Sequence, residues 1–178
     1  MRKLLKIASI LLFGVFMSLP AKAIAFQGDG QEIISSISIE EMETLLRPFG
    51  WQAEIFYEDG EKTDYILLEV DSISSFARLM DCTGEAFRRC RTVLFFANFD
   101  LGVRINPDYT SILNAFNDNN IVGRAYYLSH PDEAGDEVGL DLRISLHNGV
   151  TVDHLNHEVA QWKTALDDFL GLFNNNEE

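Results

Sequence analysis

Apolar positions along this chain recur with two different periods, and the switches between them mark out its elements. After Ser38, the residues Met42, Leu45, Leu46 and Phe49 fall three or four apart, which is the spacing of one helix face. Ser38 and Glu41 form a capping box at its start, and Pro48 and Gly50 end it. From Trp51 the period becomes two, in segments 51–57, 64–70, 75–80 and 92–99, which are rich in β-branched and aromatic residues. Asp59-Gly60 supplies a hairpin turn between the first two, so four consecutive antiparallel strands are predicted. Leu94-Phe95-Phe96 offers apolar side chains to both faces, which predicts a central strand covered on each side.

Asn106 then stands as an N-cap with Pro107 at the first helical position, and Tyr109, Ile112, Leu113 and Phe116 make a second helical stripe. Strand character returns over 121–128, and again over 138–146, where Val138, Leu140, Leu142, Ile144 and Leu146 alternate with small or polar residues. After the turn at Asn148-Gly149, Thr151 caps a long helix with the stripe Leu155, Val159, Trp162, Leu166, Phe169 and Phe173. At 1.5 Å per residue it runs roughly 30 Å, enough to cross a sheet. The order α-β-β-β-β-α-β-β-α predicts an α+β fold, an antiparallel β-sheet flanked by helices. Residues 24–37 lack a pattern and read as a leader to a domain at 38–173, and 174–178 read as a disordered tail.

The first 23 residues change the picture of where this domain works. Arg2, Lys3 and Lys6 precede an apolar run from Ile7 to Met17, and Ala21-Lys22-Ala23 has the small-x-small form of a cleavage site. This is the pattern of a secretory signal peptide, with an uncleaved anchor as the alternative. The mature chain is expected to be soluble, periplasmic or secreted, with no membrane span. All 28 acidic residues stay and four of the 14 basic ones leave with the signal peptide, so the net charge of −14 becomes −18. Such a surface disfavours nucleic acid, whose binding needs Lys and Arg to replace counterions. In an oxidising compartment Cys82 and Cys90 are expected to pair across a hairpin, with free thiols as the alternative.

Candidate chemistry is sparse. His154 and His157 lie one turn apart, but no third ligand is specified and no metal site is predicted. Asp132, Glu133, Asp136 and Glu137 lack the spacing of a calcium loop and read as a solvated tip. Ser129-His130 are neighbours without a nucleophile elbow, and no phosphate loop or dinucleotide fingerprint occurs, so neither catalytic residues nor a cofactor are predicted. Arg88, Arg89 and Arg91 form a basic cluster read as a soluble hairpin tip, with an acidic ligand or partner as the alternative.

Several segments together resemble the YbjN family of bacterial proteins: Asn114-Ala115-Phe116-Asn117, Gly123-Arg124-Ala125-Tyr126, the strand 137–146, Gly149-Val150-Thr151 and Trp162. Exported relatives also share a paired-cysteine hairpin before an aromatic strand. Asn148-Gly149 departs from a usual double glycine, and the usual bulky aromatic before Gly123 is missing. The resemblance implies a fold like that of type III secretion chaperones, which often dimerise and bind polypeptide, and it implies no known enzymatic activity. The expectation is a non-enzymatic, chaperone-like binding module with a protein partner in the envelope and a homodimeric state. Arg124, Tyr126 and Trp162 are its candidate partner-binding residues. The alternative is a small-ligand sensor or enzyme with a pocket over the sheet, in which Arg124 anchors an anionic group.

Overall fold

The computed structural model describes residues 31–85, 87–130 and 135–174. The signal segment 1–23, the leader up to residue 30 and the tail after Asn174 lie outside the described residues.

Local sequence signals position most elements. In α1 (Ile39–Leu46) the Ser38 hydroxyl accepts from the Glu41 backbone N–H at 3.2 Å, and the Glu41 carboxylate accepts from the Ser38 N–H at 2.9 Å. Both halves of the capping box are therefore made. A 3₁₀ turn, Arg47–Phe49, follows and ends at Gly50, whose φ of 76° suits a residue without a β-carbon. Strands β2 (Gln52–Glu58), β3 (Glu61–Val70), β4 (Ile73–Thr83) and β5 (Arg89–Asp100) then form an antiparallel meander. Asp59 and Gly60 have φ of 50° and 82°, the geometry that matches the twist of a two-residue hairpin. Asp71 and Ser72 make the next turn with φ of 49° and 70°, although neither is glycine.

Asn106 caps α2 (Pro107–Asn119), its side-chain oxygen accepting from the N–H groups of Asp108 and Tyr109. β6 (Arg124–Leu128) and β7 (Glu137–Ser145) pair with each other, and β7 pairs with β5. The six strands lie in the order β2-β3-β4-β5-β7-β6, every pair antiparallel. This is the α+β architecture expected, with α3 (Val152–Asn174) as its long last helix, capped by the Thr151 hydroxyl.

Two expectations need correction. The leader is not loose throughout: β1 (Ile33–Ile34) pairs with β8 (Val150–Thr151), and Ile37 bridges Cys90 through two backbone hydrogen bonds of 2.9 and 2.8 Å. Ile34 and Ile37 are buried, so hydrophobic burial fixes this segment where its short length hid any period.

The second correction concerns cover. Directly opposed residues share a sheet face, so the register defines a row Ile55, Ile66, Ala77, Phe95 and Leu142 on one side. The buried sides of α1, α2 and α3 join this face in one core. Ring contacts of 5.7 Å between Phe95 and Trp162, Phe99 and Phe169, and Phe116 and Phe169 tie α2 and α3 to it. Leu94 and Phe96 point the other way and are only partly buried, so the central strand is covered on one side, not two.

Candidate functional site

The uncovered face of the sheet is the candidate site, and strand register assembles it. One row crosses all six strands as Glu54, Leu67, Phe76, Phe96, Asp141 and Arg124. A second runs Tyr65, Arg78, Leu94 and Arg143, and a third includes Asn98, Gly139 and Tyr126. The Phe76 and Phe96 rings stack at 5.1 Å, with Tyr65 edge-on to Phe96 at 6.4 Å. The Arg78 guanidinium lies 5.2 Å from the centre of the Tyr65 ring, within range of a cation–π attraction. Leu67 is 37% exposed in the middle of this aromatic strip. Apolar side chains on an uncovered face cost solvation unless something covers them, so their clustering makes this face the candidate interaction surface.

Of the three candidate residues, two lie on this face. Arg124 donates to Asp141 at 2.6 Å and remains largely exposed. The Tyr126 ring lies against Gly139 on the neighbouring strand, and its hydroxyl donates to the Asn98 side-chain oxygen at 2.6 Å. Burial, with Asp141 and Glu137 adding to it, pushes the Tyr126 hydroxyl up to about 12, so it stays a protonated donor at neutral pH. A β-carbon at Gly139 would stand only 2.4–2.6 Å from the outer atoms of the Tyr126 side chain, too close to fit without a shift. Gly139→Ala should accordingly destabilise the domain by about 1–3 kcal/mol, as overpacking does. In a double-mutant cycle with Tyr126→Ser, read by urea unfolding, the two losses should be far from additive.

Trp162 is not on this surface. It is fully buried beneath the opposite face, with its indole N–H donating to the buried Ser75 hydroxyl at 3.3 Å. Its place in the apolar stripe of α3 governs its position. Arg124 likewise cannot anchor a ligand between helices and sheet, because the helices lie on the other side. A cleft of about 630 Å³ does open between α2, α3 and the ends of β5 and β7, but Phe99, Tyr109, Ile112 and Phe173 line it together with Asp100 and Asp108.

The remaining motifs serve the fold. Cys82 and Cys90 are joined by a disulfide at directly opposed positions of β4 and β5. With Asp64 they form a cluster of metal-ligating residue types, but both sulfurs are committed to each other. His154 faces Glu158 at 3.8 Å, and no cluster of three ligands including it or His157 occurs among the described residues. The arginine cluster is a set of ties, not a solvated tip: Arg88 makes a two-pronged contact with Asp64, and Arg89 reaches Glu41, the Ser36 hydroxyl and the Ser36 carbonyl.

Asp136 was also expected at a solvated tip and is instead buried, while Asp132 and Glu133 lie outside the described residues. Its carboxylate accepts from the Ile105 N–H at 2.9 Å, Arg104 at 2.8 Å, and the Ser129 hydroxyl and His130 N–H at 3.3 Å each. The Ile105 N–H, then Arg104 and the His130 N–H, hold its carboxyl at about 2 against the desolvation that opposes them. Ser129 and His130 thus share a buried carboxylate that joins two loops. Sequence alone carried no signal for this hub beyond a single aspartate within an acidic run.

No helix among the described residues is long and apolar enough to cross a membrane. No curated protein matches the chain. Among solved structures, the chain is similar to that of YbjN from E. coli, described as "a putative transcription regulator", with 16% identity, a TM-score of 0.54, and 76% of this chain and 89% of that one covered. A structure of an uncharacterized protein from Methanothermobacter thermautotrophicus matches at 13% identity and a TM-score of 0.47, covering 77% of this chain and 94% of that one. The family model for YbjN, "Putative bacterial sensory transduction regulator", matches residues 38–174, which take in the whole six-stranded sheet and its three helices. Family model and fold agree, and the chain belongs to the YbjN family.

Proposed function

We propose that this chain is a non-enzymatic regulatory module of the cell envelope, exported by its signal segment, which works by binding polypeptide on the open face of its sheet in a chaperone-like manner. The observation that carries this reading is the uncovered strip of Leu67, Phe76, Phe96, Leu94 and Tyr65 in a chain of net charge −14. A surface so acidic is well suited to solubility, and the apolar strip is its conspicuous exception. Export is supported by the basic start, apolar core and small-x-small end of the signal segment, with which the Cys82–Cys90 disulfide is compatible. The family's description as a regulator fits a protein that acts through association.

The test is site-specific photocrosslinking in intact cells. A photoreactive residue at Leu67 or Leu94 should give crosslinks to polypeptide, whereas one at the exposed Asp168 of α3 should not. Absence of crosslinks from the sheet face, or equal crosslinking from both sides, defeats the reading.

A further inference from the structure

We propose that Cys82, Cys90 and Asp64 form a Zn²⁺ site when the disulfide is reduced, so that this corner of the fold holds either a covalent link or a metal. The two sulfurs and an Asp64 carboxylate oxygen all lie within 4.8 Å of one another. Residue spacing conceals the third ligand. Asp64 belongs to β3, and only the pairing of β3 with β4, and of β4 with β5, brings it to the cysteines. The site lies beside α1, apart from the aromatic strip, and stands whether or not polypeptide binds there.

Tetrahedral zinc, with Zn–S about 2.3 Å and Zn–O about 2.0 Å, sets such atoms roughly 3.5–3.8 Å apart. The paired strands hold the two Cα atoms 3.9 Å apart, and rotation about each Cα–Cβ bond lets the freed sulfurs part to that spacing. Arg88 already aims the carboxylate through its two hydrogen bonds of 2.9 and 2.7 Å. An ionised carboxylate has about four lone-pair sites, so guanidinium and metal can share it. A cleft of about 520 Å³, which Asp64, Glu85, Arg88 and Cys90 help to line, leads to the site. Water from it, or the Glu85 carboxylate, completes the four ligands. Charge also closes. Two thiolates and a carboxylate are balanced by Zn²⁺ and the Arg88 guanidinium. Thiolates select zinc over Ca²⁺ and Mg²⁺, which take oxygen ligands.

A dithiol reductant supplies the electrons. Its thiolate attacks the Sγ of Cys82, half-buried where Cys90 is fully buried, and the S–S bond breaks to release Cys90 as a thiolate that takes up a proton. The reductant's second thiol then attacks its own sulfur in the mixed disulfide and frees Cys82. The protein gains two electrons and two protons, and the dithiol leaves as a disulfide. Zn²⁺ displaces the two thiol protons to solvent. A newly made chain also carries both cysteines as thiols, so it meets the metal before any oxidant.

The test uses the full chain as processed by its producing cell, reduced with a phosphine, freed of it without air, and held in excess Mg²⁺ to occupy acidic surface groups. Co²⁺ should bind one to one, with tetrahedral visible bands and a sulfur-to-metal charge-transfer band, and Zn²⁺ should displace it with a Kd of about 1 μM or tighter. The oxidised protein should bind about 100-fold more weakly and show no charge-transfer band. Asp64→Asn should weaken zinc binding of the reduced form by about 10–100-fold with its far-ultraviolet spectrum native. Should that variant not fold, Asp64→His should still bind, with visible cobalt bands shifted by the nitrogen ligand. Arg88→Gln should cost about tenfold and leave the charge-transfer band in place. Reduced protein without a charge-transfer band, equal affinity in the oxidised form, a folded Asp64→Asn that binds as tightly as the parent, or cobalt bands indifferent to Asp64→His would overturn the proposal.

Discussion

Trp162→Ala is expected to destabilise the domain by about 3–5 kcal/mol, the range for emptying a large aromatic site in a core. The indole is fully buried, packs 5.7 Å from the Phe95 ring at the centre of the covered face, and satisfies the Ser75 hydroxyl. Its removal leaves both a cavity and an unpaired buried hydroxyl. Trp162→Phe keeps most of the volume and should cost markedly less. Urea unfolding followed by circular dichroism measures both. Were Trp162 a partner-binding residue at the surface, its alanine variant would stay within about 0.5 kcal/mol of the parent and lose only binding.

Replacing Cys82 and Cys90 together by serine is the second large effect, with an expected loss of about 2.5 kcal/mol from the relaxed constraint on the unfolded chain. The two residues are eight apart and directly opposed, so the covalent link closes the hairpin end of β4 and β5. The loss should also reach further. Cys90 exchanges both of its backbone hydrogen bonds with Ile37, so a loosened hairpin should expose the Ile37 amide early. Hydrogen exchange should show faster exchange at Ile37 in the serine variant than in the parent. An unchanged unfolding midpoint with and without reductant would count against a stabilising link.

Where local chemistry determines structure, the sequence was readable. The Ser38 capping box, the Asn106-Pro107 helix start, the Asp59-Gly60 turn and the alternation of β7 all mark features the structure contains. What could not be read depended on partners distant in sequence. Asp71-Ser72 turns without a glycine because the flanking strands, paired from Tyr65 with Arg78 through Val70 with Ile73, impose the geometry. Phe95 and Phe96 are chemically alike, and only the placement of all three helices decides which is covered. The candidate face was half legible. Alternation put one of Tyr126 and Tyr127 outward, but the six-strand row containing Arg124 exists only once β7 has inserted between β5 and β6. For Trp162, helical spacing placed it in the buried stripe of the last helix, whereas its reading as a partner-binding residue required a surface position that it does not have.

The pairing of β1 with β8 has a consequence for the order of events in folding. Ile33–Ile34 emerge early during synthesis, yet their partners Val150–Thr151 arrive only just ahead of the final helix. Closing so long a loop is entropically unfavourable until the intervening chain has collapsed. The four-strand meander can therefore form first and this latch last. Until Val150–Thr151 have emerged, the nascent domain stays unlatched and its leading end can still be threaded through a narrow passage.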